Sequence, residues 1–226
     1  MIRLNNHDKL PFSPIEPDTK DWVKCFKSKD LRLESPCGTF IDDELIVAWR
    51  APNSEVPSLE KYFCFVVREN PSERAVVFEG GEIVDILYAH KAYKFKRTSG
   101  VSIVWVLEAP FDMDYGVPKS SNIKTSDGEL LGFHGKLMLK VDNVEKFVRN
   151  VMGRNEKLTT YELREILLPR INNVLRPIIS SVTKSEFMKT RTSEILNKIK
   201  AGLIIDFKEL GITLENITIS GFAPDC

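Results

Sequence analysis

Residues Ile123 to Met152 read IKTSDGELLGFHGKLMLKVDNVEKFVRNVM, and three elements follow one another in them. Ser126-Asp127-Gly128 is a turn, because Asp-Gly supplies the positive φ that tight hairpins need. Leu131, Phe133, Leu137, Leu139 and Val141 alternate with Gly132, His134, Met138 and Lys140. A period of two predicts a strand over 129–141 with one buried face. Asp142 ends it and is placed to cap a helix whose apolar residues Val144, Phe147, Val148 and Val151 recur three and four apart. Gly153 is the expected stop.

Upstream, the pattern is that of short strands. Leu31 and Leu33 predict a first strand, Ser35-Pro36-Cys37-Gly38 a turn, and Glu44 to Arg50 a second strand. Lys61 to Glu69 is almost wholly apolar in its middle, as in a central strand. Arg74–Glu79 and Glu82–Leu87 flank Gly80-Gly81 as a two-residue hairpin. Ala92–Arg97 and Val101–Glu108 are expected to form a second hairpin around Ser99-Gly100. Strands are also expected at Phe111–Tyr115 and Lys119–Thr125, around a Gly116-Val117-Pro118 turn. Pro11, Pro14 and Pro17 and a scarcity of apolar residues make the first 30 residues a flexible arm.

Downstream, Thr159 or Thr160 can cap a helix presenting Leu163, Ile166, Leu167, Ile171, Val174, Leu175 and Ile178. Pro169 and Pro177 fall inside it and predict kinks or a break. A further helix over Thr192–Leu210 carries Ile195, Leu196, Ile199, Leu203 and Phe207 and ends at Gly211. Ile212, Leu214, Ile217 and Ile219 predict a closing strand that changes phase at Glu215-Asn216. The fold class is therefore α+β: a mostly antiparallel, twisted sheet followed by helices that cover one face. The chain divides into the arm (1–30), a β-rich first lobe (31–125) and an α/β second lobe (126–226).

Composition narrows the function. Lys+Arg and Asp+Glu are 32 each among 226 residues, so the bulk electrostatic case for nucleic acid is absent. Cys25, Cys37, Cys64 and Cys226 show no metal or disulfide spacing, and a reduced, buried Cys64 in a cytoplasmic protein is expected. The longest apolar run, Val101–Leu107, falls far short of the ~20 residues a membrane helix needs. Cys226 lacks the three following residues of a prenylation box. His7, His90 and His134 have no second ligand at metal spacing, and no phosphate loop or nucleophile elbow is present. Asp112 and Asp114 share a strand face, better read as solvated than as a cation site. These residues predict neither catalysis, cofactor nor metal. The one local basic stretch runs from His90 to Arg97, and on a strand it puts His90, Lys94 and Lys96 on one face and Lys91, Tyr93, Phe95 and Arg97 on the other. A solvated basic face is the first reading of it, and Lys91, Lys94, Lys96 and Arg97 are its candidate contacts for an anionic surface.

The stretch around Asp127, Gly128, Gly135, Val141, Asp142 and Phe147 resembles the strand-to-helix passage of the stomatin/prohibitin/flotillin (SPFH, band-seven) superfamily. The sharper resemblance is to a soluble prokaryotic branch, the virion-core-protein-like proteins. It rests on Trp49-Arg50-Ala51-Pro52, Val67-Arg68-Glu69 before Ala75-Val76-Val77-Phe78, and Phe111-Asp112 before Gly116-Val117-Pro118. The likeness spans about Phe40 to Ala223. It implies an SPFH domain with a β-rich lobe and an α/β lobe. It also implies a non-enzymatic scaffold that self-associates into a homo-oligomer and organises partner proteins, some of them membrane-bound. The expected location is cytoplasmic, with peripheral contact to anionic lipid. The alternative is a virion-like structural or nucleic-acid-binding protein. Relatives often carry an N-terminal anchor, a long coiled coil or a zinc-binding tail, and this sequence shows none of them.

Overall fold

A computed structural model describes residues 12–15, 32–51, 63–89, 91–95, 101–118, 120, 123–189 and 194–222. Its contacts fall into two units: one running to Glu108 and including Arg154–Lys157, the other comprising Ala109–Gly153 and the residues from Leu158 onward. The boundary between units thus falls at Glu108–Ala109 rather than at 125–126.

The first unit is built from strands. β1 (Phe12–Ile15), β2 (Arg32–Leu33), β3 (Phe40–Ile41), β4 (Glu44–Arg50), β5 (Phe63–Val67), β6 (Glu73–Glu79), β7 (Glu82–Leu87), β8 (Lys91–Phe95) and β9 (Val101–Leu107) form two sheets. One has the order β1-β8-β5-β2. The other runs β4-β9-β6-β7, with β3 on β4. Gly80 and Gly81 take φ of 58° and 90° between β6 and β7, as the expected two-residue turn requires. Asp42 and Asp43 turn β3 into β4 with φ of 51° and 64°, a conformation that short polar side chains tolerate. Two expectations are corrected. β8 and β9 do not form a hairpin: β8 pairs with β1 and β5, and β9 with β4 and β6. The reason is burial. Ile103 to Leu107 are all buried, which places β9 inside a sheet with neighbours on both sides. The arm is not structureless throughout, because β1 adds an edge strand that sets Pro14 opposite Tyr93. An edge is where a strand proline is tolerated.

A buried ion pair closes this unit. Glu73 is fully buried, and its carboxylate accepts from the Arg68 backbone N–H at 2.8 Å and from the Arg68 guanidinium at 3.0 and 3.3 Å. The same guanidinium donates to the Cys37 carbonyl. Burial pushes the Glu73 carboxyl up, and the hydrogen bonds from Arg68 pull it back. Trp105 Nε1 donates to Val66 O at 3.0 Å and so ties β9 to β5.

The second unit holds β10 (Phe111–Val117), β11 (Phe133–Val141), a short helix α1 (Val144–Phe147) that widens into a π-turn over Val148–Met152, α2 (Thr160–Ser180), α3 (Lys184–Lys189), α4 (Glu194–Glu209) and a last strand. Between the π-turn and α2, β12 (Lys157–Thr159) begins as residues 154–157 run beside β4, and the last strand is β13 (Ile212–Phe222). The sheet order is β10-β11-β13, antiparallel throughout. β11 alternates as its sequence predicts: Phe133, Gly135, Leu137, Leu139 and Val141 are buried, while His134, Lys136 and Met138 are exposed. α4 packs on β13, and α2 packs on α4 and β10. Gly202 permits the close crossing of α4 on α2, since a Cβ there would sit 2.6 Å from Val174 Cγ1.

Further local expectations are refined. The Thr125–Gly128 turn is present, with Gly128 at φ 83°, but the strand expected over Lys119–Thr125 is reduced, among the described residues, to the bridge Lys124–Leu130. Gly116 and Val117 continue β10 instead of turning. The helix after β11 is capped by Asn143, whose side chain accepts from Lys146 N, while Asp142 accepts from Thr213 Oγ1 at 2.7 Å. Pro169 and Pro177 do not break α2. Both prolines are exposed, as are Glu165 and Asn173, whose carbonyls lose their helical donors on the solvent side of the helix. α3 was not anticipated, for it is one short helix with a single buried anchor, Phe187. The phase change in β13 is a bulge: Asn216 pairs with Met138 and Leu214 with Leu139, leaving Glu215 unopposed.

Two outcomes follow from this packing. Leu139 is fully buried between sheet and helices, so Leu139→Ala should lower stability by about 2–5 kcal/mol in urea melts. Arg68→Met should cost about 3–5 kcal/mol at neutral pH, because it strands the Glu73 charge. That cost should shrink as pH falls, since protonation of a carboxyl raised above its unfolded value favours the folded state. The double change Arg68→Met/Glu73→Leu should recover most of the loss.

Candidate functional site

The basic strand is the one surface that the sequence marks for a ligand. Its described part is β8, an interior strand whose register sets Lys91 opposite Val67, and Lys94 opposite both Cys64 and Ser13. The side chains of Lys91 and Lys94, and the whole of Lys96 and Arg97, lie outside the described residues, as does the side chain of Cys64. Tyr93, between the two lysines, is buried, and its hydroxyl bonds to the Tyr88 backbone.

Of the residues weighed for chemistry, Asp112, Asp114, His134 and Cys37 are among the described ones. Asp112 and Asp114 are exposed on one face of β10, and Asp114 lies 3.9 Å from Lys136 Nζ across the strands. Among the described residues, no group of three or more His, Cys, Asp or Glu is placed to hold a metal ion. His134 is exposed on β11 and packs its ring on Gly221, where a Cβ would meet Cε1 at 2.6 Å. The Cys37 thiol is buried, donates to Trp105 O at 3.5 Å, and is pushed up to about 12 by burial. A thiol held protonated inside the protein is not a nucleophile. Asp127 receives hydrogen bonds from Thr125 Oγ1 and from Lys184 N at 3.2 Å, and these hold its carboxyl below the usual range. It fastens the turn to the start of α3.

Among the described residues of the second unit, two clefts open. One, about 500 Å³, is lined by Asp127, Glu129, Lys184, Ser185, Met188 and Lys189. The other, about 380 Å³, lies among Gly116, Pro118, Phe133, His134, Arg164 and Leu168. Arg164 there stacks over the Tyr161 ring at 4.8 Å and pairs with Glu165 at 3.6 Å. In the first cleft Lys184 pairs with Glu129 at 3.9 Å and its backbone N–H donates to Asp127.

What sequence reasoning passed over is apolar surface. Phe40 at the β3 turn is 70% exposed, and Ile205 on α4 is 68% exposed beside the half-exposed Ile204. The signal for α4 was available. Ile195, Ile199, Leu203 and Phe207 recur four apart and define its buried stripe, which leaves Ile204 and Ile205 on the other side.

Several residues behind the family resemblance have a physical role in the described structure. Gly128 supplies the turn, and Gly135 lets β13 approach, since a Cβ there would overlap the Thr218 carbonyl. Val141 and Phe147 are fully buried. Trp49 packs on Trp105 at 5.4 Å. Arg50 lies over Phe78 at 5.4 Å and donates to Ser102 Oγ at 3.1 Å. A comparison with curated proteins gives no match. The family model described as SPFH domain / Band 7 family matches residues 68–225, more than half of the chain and all of its second-unit strands and helices. The chain belongs to the SPFH domain / Band 7 family.

Proposed function

We propose that this chain is a non-enzymatic scaffold that binds copies of itself and organises partner proteins, with peripheral contact to the anionic face of a membrane. Family membership carries the reading, because SPFH proteins are scaffolding and membrane-associated proteins that generally act without catalysis. The folded surface is consistent with it. Among the described residues no helix is long and apolar enough to cross a membrane. The Trp49–Pro52 box supports the virion-core-protein-like branch and a prokaryotic, cytoplasmic setting.

The membrane contact is weak by design of charge. Lys91, Lys94, Lys96 and Arg97 each supply on the order of 1 kcal/mol near an anionic surface, and salt screens it. Equal numbers of acidic and basic residues add no bulk attraction. Stable residence at a membrane then depends on many copies acting together, which raises effective affinity by orders of magnitude.

Flotation with vesicles containing phosphatidylserine tests this. Assembled protein should bind, dilute monomer should bind weakly, and high salt should release both. Replacing Lys91, Lys94, Lys96 and Arg97 with Ser should abolish binding while leaving the thermal melt unchanged. A monomer that held neutral vesicles tightly in high salt would contradict the peripheral-scaffold reading.

A further inference from the structure

α4 carries its apolar residues on two sides. Ile195, Ile199, Leu203 and Phe207 are buried against the sheet and α2. On the opposite side Ala201, Ile204 and Ile205 are exposed, Ile205 at 68%. At 3.6 residues per turn, Glu194, Lys198, Ala201, Ile205 and Lys208 fall on one exposed stripe, with Ile204 at its margin. The charges on that stripe are ordered. Glu194 and Lys208 stand seven residues to either side of Ala201, with opposite sign. Glu194 is held below the usual carboxylate range by Lys198, 2.9 Å away, so the acidic end is ionised at neutral pH.

A stripe with a small residue at its centre and opposite charges at equal distances is complementary to itself when inverted. We infer that this face of α4 docks on the same face of α4 in a second copy, antiparallel, with Ala201 on the two-fold axis. Ala201 lets the two helices approach closely. Glu194 of each copy then meets Lys208 of the other. Ile205 covers the aliphatic stem of Lys198 from the second copy, which keeps its ammonium in water. Such a contact is isologous, so it closes as a dimer and leaves other surfaces for further assembly. A parallel pairing is disfavoured, because it would set Glu194 against Glu194 and Lys208 against Lys208. The inference rests on the self-association in the reading above and names the surface that mediates it.

Charge exchange in the full chain tests it. Sedimentation equilibrium should show self-association of the natural sequence. Glu194→Lys alone and Lys208→Glu alone should each weaken it by roughly tenfold or more, since two symmetric attractions become repulsions. Mixing the two single variants should restore association, as a heterodimer, because both cross-pairs are then complementary. Thermal melts of each variant establish that it is folded, and Ile205→Glu, an exposed change, should separate the copies as well. If the natural chain associates and all three variants associate equally well, α4 is not the interface, and the scaffold reading stands without it. If the natural chain is monomeric at every concentration, both are wrong.

Discussion

The pairing of β11 with β13 is the constraint on which the second unit depends. β11 is a central strand, yet its second partner arrives only after α2, α3 and α4 have been laid down. The register is pinned at both ends. At one, Gly135 allows the Thr218 carbonyl to come against its Cα, where any side chain would overlap it. At the other, the Gly211 carbonyl accepts the N–H groups of both Asp142 and Asn143, and Asp142 accepts from Thr213. A slip of one residue would carry Ile212, Leu214 and Ile217 from the core to the solvent face. It would also shift α4, which joins β13 through Gly211. The exposed stripe on α4 is thus set by hydrogen bonds two elements away.

The bulge at Glu215 serves the same end. Its carbonyl is taken by the Lys200 ammonium, from α4. A bulged and capped edge is a poor template for an added strand. Along that stretch the edge of the sheet is covered by its own helix α4.

Much of this was legible from residue order. Asp127-Gly128, the alternation from Leu131 to Val141, a cap at Thr159 or Thr160, which the structure places at Thr159, and the phase change at Glu215 all follow local rules that tertiary packing did not override. What was not legible depended on distant partners. Nothing near Ser99-Gly100 reveals that β8 and β9 belong to different sheets; the continuous burial of Ile103 to Leu107 decides it. Asp142 has the chemistry of a cap, but Thr213 claims its carboxylate and Asn143 caps instead. α3 is held by Phe187 stacking between Phe133 and Phe222, contacts that its short sequence does not announce. Of the candidate surfaces, the basic strand was visible as a run of charge. The α4 face could be separated from the buried stripe by spacing, but that Ile204 and Ile205 stay uncovered depends on distant packing.

The proposed function resides in surfaces, and the measurement that tests it most directly is of geometry between copies. Packed helices lie about 8–10 Å apart, which brings facing Cα atoms within disulfide range. Ala201→Cys, in a chain with Cys25, Cys64 and Cys226 replaced by Ser, should form a covalent dimer under mild oxidation at concentrations where the protein associates. An associated sample in which Ala201→Cys stays reduced while a cysteine on another surface cross-links would contradict the account.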